Sequence, residues 1–187
     1  MLLGSDRKIV YLCPGHGGRD PGAIGPDGTP EKKQVLWLAL IMRMELERYG
    51  YYVQLTRWND EYRSHKSRVV LANSDKADIY VSLHFNGWIT PQAHGAEVLH
   101  FRGSTEGQRL AQCLQDEMVH GLRFRNRGVK ERTFYVLRHT RMPAVIVEPL
   151  FITNPEEERW IRDTQNVVEL SRHLCRGIAQ YFGDVGR

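Results

Sequence analysis

The chain has 187 residues, 41% of them hydrophobic and 26% charged, with a formal net charge of +4, which suits one globular domain with its own core. No run approaches the ~18 apolar residues of a membrane span, and the first eight residues lack the ~7–15-residue apolar stretch of a secretory signal. Three widely spaced cysteines (Cys13, Cys113, Cys175) argue against a disulfide framework, and no basic run with interleaved aromatics points to nucleic acid.

In chain order, residues 8–13 (Lys-Ile-Val-Tyr-Leu-Cys) read as a short buried strand. Pro14-Gly15-His16-Gly17-Gly18 breaks it, and a Gly- and Pro-rich loop runs to Thr29. A helix is expected there, with Thr29 as N-cap and Pro30 at the first helical position. Its apolar stripe is Val35, Leu38, Ala39, Met42, Leu46 and Tyr49, and Gly50 stops it. Residues 52–57 form a second predicted strand, 64–73 a helix, 78–85 a third strand and 95–101 a fourth. A helix follows from Thr105 to Gly121, with Thr105 and Gln108 at capping-box spacing. Residues 133–137 and 144–151 read as further strands. Asn154-Pro155-Glu156-Glu157 then opens a helical C-terminus, its acids facing the positive helix end. Strands alternating with helices predict an α/β fold: a single three-layer domain over residues 1–187, with a mostly parallel twisted sheet of about six strands.

In such sheets ligands gather beyond the carboxyl ends of the strands. His16 lies just past the first strand, His84 near the end of the third, Glu148 near the end of the run 144–147, and Glu31 at the start of the first helix. All four map to one rim. Each has a plain alternative: a surface-turn histidine for His16, a helix-dipole complement for Glu31, a hydrogen-bonded core histidine for His84, an arginine ion pair for Glu148. Two signals weigh against these. Ser82, His84 and Asn86 share one strand face as a polar row. Glu148 interrupts Ala-Val-Ile-Val-Glu-Pro-Leu-Phe, and glutamate is rarely buried without a partner or a task. Two histidines and two carboxylates are chemically complete for a zinc hydrolase, with three ligands, an open position for water and a nearby base. No compact HExxH motif is present, so spacing alone does not settle the matter.

The residues Pro14-Gly15-His16-Gly17-Gly18-Arg19-Asp20-Pro21-Gly22-Ala23, Glu31-Lys32, Leu55-Thr56-Arg57, Arg68 with Ala72-Asn73, Ala77-Asp78, and Ser82-Leu83-His84-Phe85-Asn86 stand in order. They are followed by Asn126-Arg127-Gly128-Val129-Lys130, Val136-Leu137-Arg138, Pro143-Ala144-Val145 and Glu148-Pro149-Leu150-Phe151-Ile152-Thr153-Asn154. This ordered set resembles the zinc-dependent N-acetylmuramoyl-L-alanine amidases, over nearly the whole chain. The resemblance implies one Zn2+ per chain held by His16, Glu31 and His84, with Glu148 as catalytic acid/base. It implies peptidoglycan as substrate, cut between N-acetylmuramic acid and L-alanine. Asn86 and Arg127 also match family positions, with site-shaping or substrate contact as their implied work.

Three departures stand out. Cys13 replaces the aspartate usual three residues before the first histidine. Pro149-Leu150 replaces a Gly-containing turn after Glu148. Only Arg102, Gly103 and Ser104 separate a strand from a helix where cell-division members carry a long inserted regulatory helix. Two other functions fit the same residues: a non-catalytic wall-binding module using Trp37, Trp58, Trp88 and Trp160, or a zinc peptidase acting within the stem peptide. The chain is expected to be a monomer that does not insert into membranes. With no leader visible, it reads as a phage endolysin or as a domain excised from a secreted amidase, acting at the cell wall or periplasm.

Overall fold

The computed structural model describes residues 7–184. Strand β1 (Ile9–Pro14) alternates between two cores: Val10 and Leu12 face one, Tyr11 and Cys13 the other. A loop leads to α1 (Glu31–Arg48), whose buried stripe is Val35, Leu38, Ala39, Met42 and Leu46, the helical spacing expected. Strand β2 (Tyr52–Leu55), helix α2 (His65–Ser74) and strand β3 (Ile79–Leu83) follow. Then come β4 (Ala96–Phe101), α3 (Thr105–Asp116) running into a π-helical turn (Glu117–Gly121), β5 (Asn126–Arg132) and α4 (Tyr135–His139). The chain continues through β6 (Ala144–Glu148), α5 (Pro155–Arg162) and α6 (Thr164–Phe182).

The six strands form one sheet in the order β2-β1-β3-β6-β4-β5. β1, β2, β3 and β6 run parallel, so their carboxyl ends share one edge. β4 pairs antiparallel with β6, and β5 runs parallel to β4. The reversal follows from the connections. No helix separates β3 from β4, so the chain returns in the opposite sense, whereas α3 supplies the crossover a parallel β4–β5 pair requires. Helices α1, α3 and α6 bury one face of the sheet through residues such as Leu38, Leu114 and Leu174. Helices α2 and α4 cover the other through Val69, Ala72, Val136 and Leu137. Each Val or Leu so buried contributes roughly 1.5–3 kcal/mol. Both cores lean on the same sheet, and the result is the single three-layer α/β domain expected.

Several boundaries differ from expectation. Residues 133–137 are not a strand: the fifth strand is Asn126–Arg132, and Tyr135–His139 is helical. The true strand lies at the sheet edge, paired with β4 alone, and its polar sequence Asn-Arg-Gly-Val-Lys-Glu-Arg carries no apolar alternation. The adjacent pair Val136 and Leu137 is buried as in a helix that presses one side on α2. Pro30, not Thr29, is the N-cap of α1, because Thr29 is tied into the preceding loop: its N–H donates to Glu158 and its carbonyl accepts from Gly25. Ser104 rather than Thr105 caps α3, accepting from the Gly107 N–H at 3.1 Å. The C-terminal helix is two, separated by Asp163, whose extended backbone ends α5 and whose carboxylate caps α6 at Gln165.

Candidate metal centre

Just past β1 the chain turns sharply at the shared edge. His16 has φ +57°, followed by Gly17 at +122° and Gly18 at +58°. A non-glycine residue in that left-handed region is strained unless its surroundings hold it. Two buried arginines do so. Arg57 donates to the carbonyls of Pro14 (3.2 Å) and Gly15 (2.8 Å), and Arg68 to those of Pro14 (2.6 Å) and His16 (2.6 Å). Three successive carbonyls are thus fixed by guanidinium groups, each a charge-assisted bond.

His84 follows β3, its N–H donating to the Val147 carbonyl at 3.0 Å. Gly15 lies flat against its ring: a Cβ there would stand 2.3 Å from His84 Cε1. Glu31, the first residue of α1, is buried at 3% exposure. Its Oε1 accepts from the Phe85 N–H (3.0 Å) and its Oε2 from the Ala23 N–H (2.9 Å), which fixes both oxygens.

The three side chains converge. His16 Nε2 lies 3.1 Å from Glu31 Oε2, His84 Nδ1 lies 3.0 Å from Glu31 Oε1, and the two ring nitrogens are 3.2 Å apart. Each residue offers one ligand atom, all within 4.8 Å of one another. The second ring nitrogen of His16 meets Asp20 Oδ2 at 2.9 Å, and Asp20 Oδ1 accepts from the Gly22 N–H. Such a carboxylate behind a histidine fixes its tautomer and raises its basicity. Burial pushes the Glu31 carboxyl up, but hydrogen bonds and charge from His16 and His84 outweigh it and hold it at about 2. For His16 burial pushes the other way, and Glu31 and Asp20 outweigh it to raise the imidazole. Two imidazole nitrogens and one carboxylate oxygen converging from fixed positions fit a zinc ion with a coordination position to spare.

A cavity of about 350 Å³ opens beside this cluster, floored by Cys13, Ser82 and Ile146 and rimmed by Tyr62, Arg63, Phe134 and Tyr135. Glu148, the last residue of β6, lines it. Its Oε2 is buried without a hydrogen-bond partner, and among the described residues no arginine pairs with it. Burial pushes its carboxyl well above the ordinary range, and the charges of Glu31 and Glu97 add to the effect. Glu97 is its direct neighbour across the β4–β6 pair and is itself bound by Arg127 (2.8 Å) and Lys130 (2.7 Å).

All four rim residues singled out from the sequence therefore meet at one place. Cys13 is not among the convergent groups. Its sulfur accepts from Arg68 Nη1 at 3.2 Å; burial pushes its thiol up, but the Arg68 charge together with hydrogen bonds from Thr56, Tyr80 and Arg68 outweighs that and lowers it. Asn86 joins two loops through backbone bonds with Leu150 and Ile152, and Arg127 stacks over the Phe151 ring at 4.6 Å. Asp20, Arg57 and Glu97 were not picked out as contributors. Asp20 was findable, four residues after His16 across a Gly-rich turn, where a carboxylate partner for a ligand histidine is a common need.

Fold and site together define a class: a layered α/β domain with a His–Glu–His group suited to a metal at the strand ends, and a carboxylate with a buried, unpartnered oxygen lining the cavity beside it. The family described as N-acetylmuramoyl-L-alanine amidase matches residues 10–180, and the chain belongs to that family. Among curated relatives, the uncharacterized protein YqiI of Bacillus subtilis is 34% identical over 94% of this chain and 85% of its own length. N-acetylmuramoyl-L-alanine amidase AmiA of Salmonella typhimurium is 31% identical, covering 94% of this chain and 76% of its own. The crystal structure of an N-acetylmuramoyl-L-alanine amidase from Clostridium difficile 630 superimposes with a TM-score of 0.93 at 33% identity, covering 97% of this chain and 100% of that one.

Proposed function

We propose that this chain hydrolyses the amide between the lactyl group of N-acetylmuramic acid and the L-alanine of the stem peptide in peptidoglycan. In this reading one zinc ion is held by His16, Glu31 and His84, and Glu148 is the acid/base. The observation that carries it is the convergence of three fixed donor atoms beside a carboxylate that is buried yet open to the same cavity. Family membership supports the substrate class. Zinc, when bound, supplies Lewis acidity that lowers the pKa of a water from ~15.7 to ~7 and polarises a carbonyl.

The chain's own groups do the rest. Glu148 takes a proton from the attacking water as its oxygen adds to the lactyl carbonyl carbon. The C–N bond then breaks, and Glu148 returns the proton to the departing L-alanine nitrogen. A carboxylate whose proton affinity is raised by burial is suited to both transfers near neutral pH. Asp20 keeps the His16 tautomer, and the exposed rings of Phe134 and Tyr135 offer the cavity rim a surface for sugar or peptide.

Purified protein incubated with isolated peptidoglycan should release free L-alanine amino termini by mass spectrometry, lose that activity to a chelator and regain it with zinc. New diamino-acid or D-alanine termini would instead mean a stem-peptide peptidase. Co-sedimentation with walls and no new termini would mean a binding module.

A further inference from the structure

The acidic start of α5 does more than face a helix dipole. Glu158 is fully buried, and its two oxygens accept from the backbone N–H groups of Asp27 (2.8 Å) and Thr29 (3.1 Å). Those residues close the loop that delivers Glu31 to the first turn of α1. Gly25 in the same loop packs on this carboxylate so closely that a Cβ would stand 2.2 Å from Glu158 Oε1. Arg162, one turn on, also reaches Asp27 at 2.9 Å.

The neighbouring Glu157 binds a different pair of segments. It accepts from the Phe151 N–H (2.7 Å), three residues after Glu148, and from the Gly95 N–H (2.9 Å), at the entry to β4 and Glu97. Asn154 caps the same helix and donates to the Pro91 carbonyl at 2.9 Å. One two-turn helix thus binds backbone in the segment that leads to Glu31 and in the segment that follows Glu148, using carboxylates at consecutive positions.

We infer that α5 is a brace that sets Glu31 and Glu148 relative to each other, with Glu158 as positioning residue for the metal-ligand side and Glu157 for the acid/base side. The inference rests on the zinc reading above. Neither residue touches the reacting atoms. Each holds two backbone donors that would otherwise be buried or misaimed, and a neutral amide in its place can accept at only one oxygen.

The test compares wild type, Glu158→Gln, Gly25→Ala and Glu157→Gln, each checked for folding by circular dichroism. Zinc affinity is read by competition with a chromophoric chelator, ligand geometry by the visible spectrum of the cobalt-substituted protein, and kcat by release of amino termini. Glu158→Gln and Gly25→Ala disturb one contact from its two sides. Both should weaken zinc binding about tenfold and alter the cobalt spectrum. Glu157→Gln should lower kcat severalfold with zinc affinity and cobalt spectrum unchanged. Folded Glu158→Gln and Gly25→Ala proteins with wild-type zinc affinity would overturn the inference, as would equal loss of zinc affinity in Glu157→Gln. Wild-type protein that takes up no zinc would instead overturn the metal reading itself.

Discussion

Replacing Gly15 with alanine moves a metal ligand without altering any ligand. The added Cβ would stand 2.3 Å from His84 Cε1, 2.6 Å from Nδ1 and 2.7 Å from Nε2, where ordinary contact begins near 3.4 Å. The imidazole must therefore retreat by roughly 1 Å, because the backbone at residue 15 has little room to yield. Its N–H is bonded to the Leu83 carbonyl and its own carbonyl to Arg57. Gly15 is outside the left-handed region, so alanine adds no backbone strain and the effect falls on His84. Misplacing a reacting group by about 1 Å costs on the order of 10²-fold in rate, and a displaced nitrogen also weakens the ion's hold. The assay pairs zinc competition with the rate of amino-terminus release, on protein shown to be folded. Wild-type zinc affinity and rate in folded Gly15→Ala protein would refute the idea that His84 is a ligand fixed by this contact.

Glu148→Gln should lower kcat by roughly 10²–10⁴ while zinc binding is retained; retained lytic activity would remove Glu148 from the mechanism. The same variant has a stability signature in zinc-free protein. Because the folded carboxyl is raised above its ordinary 4.5, the stability it contributes is present below that pH and lost as pH rises through the folded value. The melting-temperature advantage of Glu148→Gln over wild type should therefore widen from about pH 5 to about pH 8, and a constant gap would contradict the burial argument. Asp20→Ala should weaken zinc binding by about 10–100-fold in chelator competition by freeing the His16 ring, and unchanged affinity would show that the contact does not orient the ligand. Arg68→Met leaves the His16 and Arg63 carbonyls without this donor and the Pro14 carbonyl with Arg57 alone, and should lower stability in urea by roughly 2–4 kcal/mol; a change under about 1 kcal/mol would mean the loop is held by other means.

The parts of the site that announced themselves in the sequence were those in conflict with their surroundings. Glu148 stood out in an apolar strand because burial of a lone carboxylate is costly, and its unpartnered oxygen is that conflict in three dimensions. His84 stood out through the polar row with Ser82, and Ser82 does line the same cavity. Periodicity likewise located α1, whose residues Val35, Leu38, Ala39, Met42 and Leu46 are buried as their spacing requires. What stayed hidden was support that looks ordinary in one dimension. Arg57, Glu97 and Glu158 are charged residues like many others until tertiary structure closes over them, and backbone N–H partners leave no mark on the residue that donates. The strand β5 was missed for the complementary reason. Val129 is its one apolar side chain packed on the core, and a single apolar residue in a polar run gives hydrophobic patterning no alternation to register.

The placement of β6 also bears on when the proposed catalytic set is complete. This strand enters the middle of the sheet, between β3 and β4, although it is the last of the six to be synthesised. Until it threads into that gap, residue 148 has no station next to positions 16, 31 and 84. On the proposed chemistry, a polypeptide still emerging from the ribosome, or clipped before the central gap is filled, lacks its acid/base and does not cut the amide. Bond-breaking power arrives all at once, with closure of the sheet.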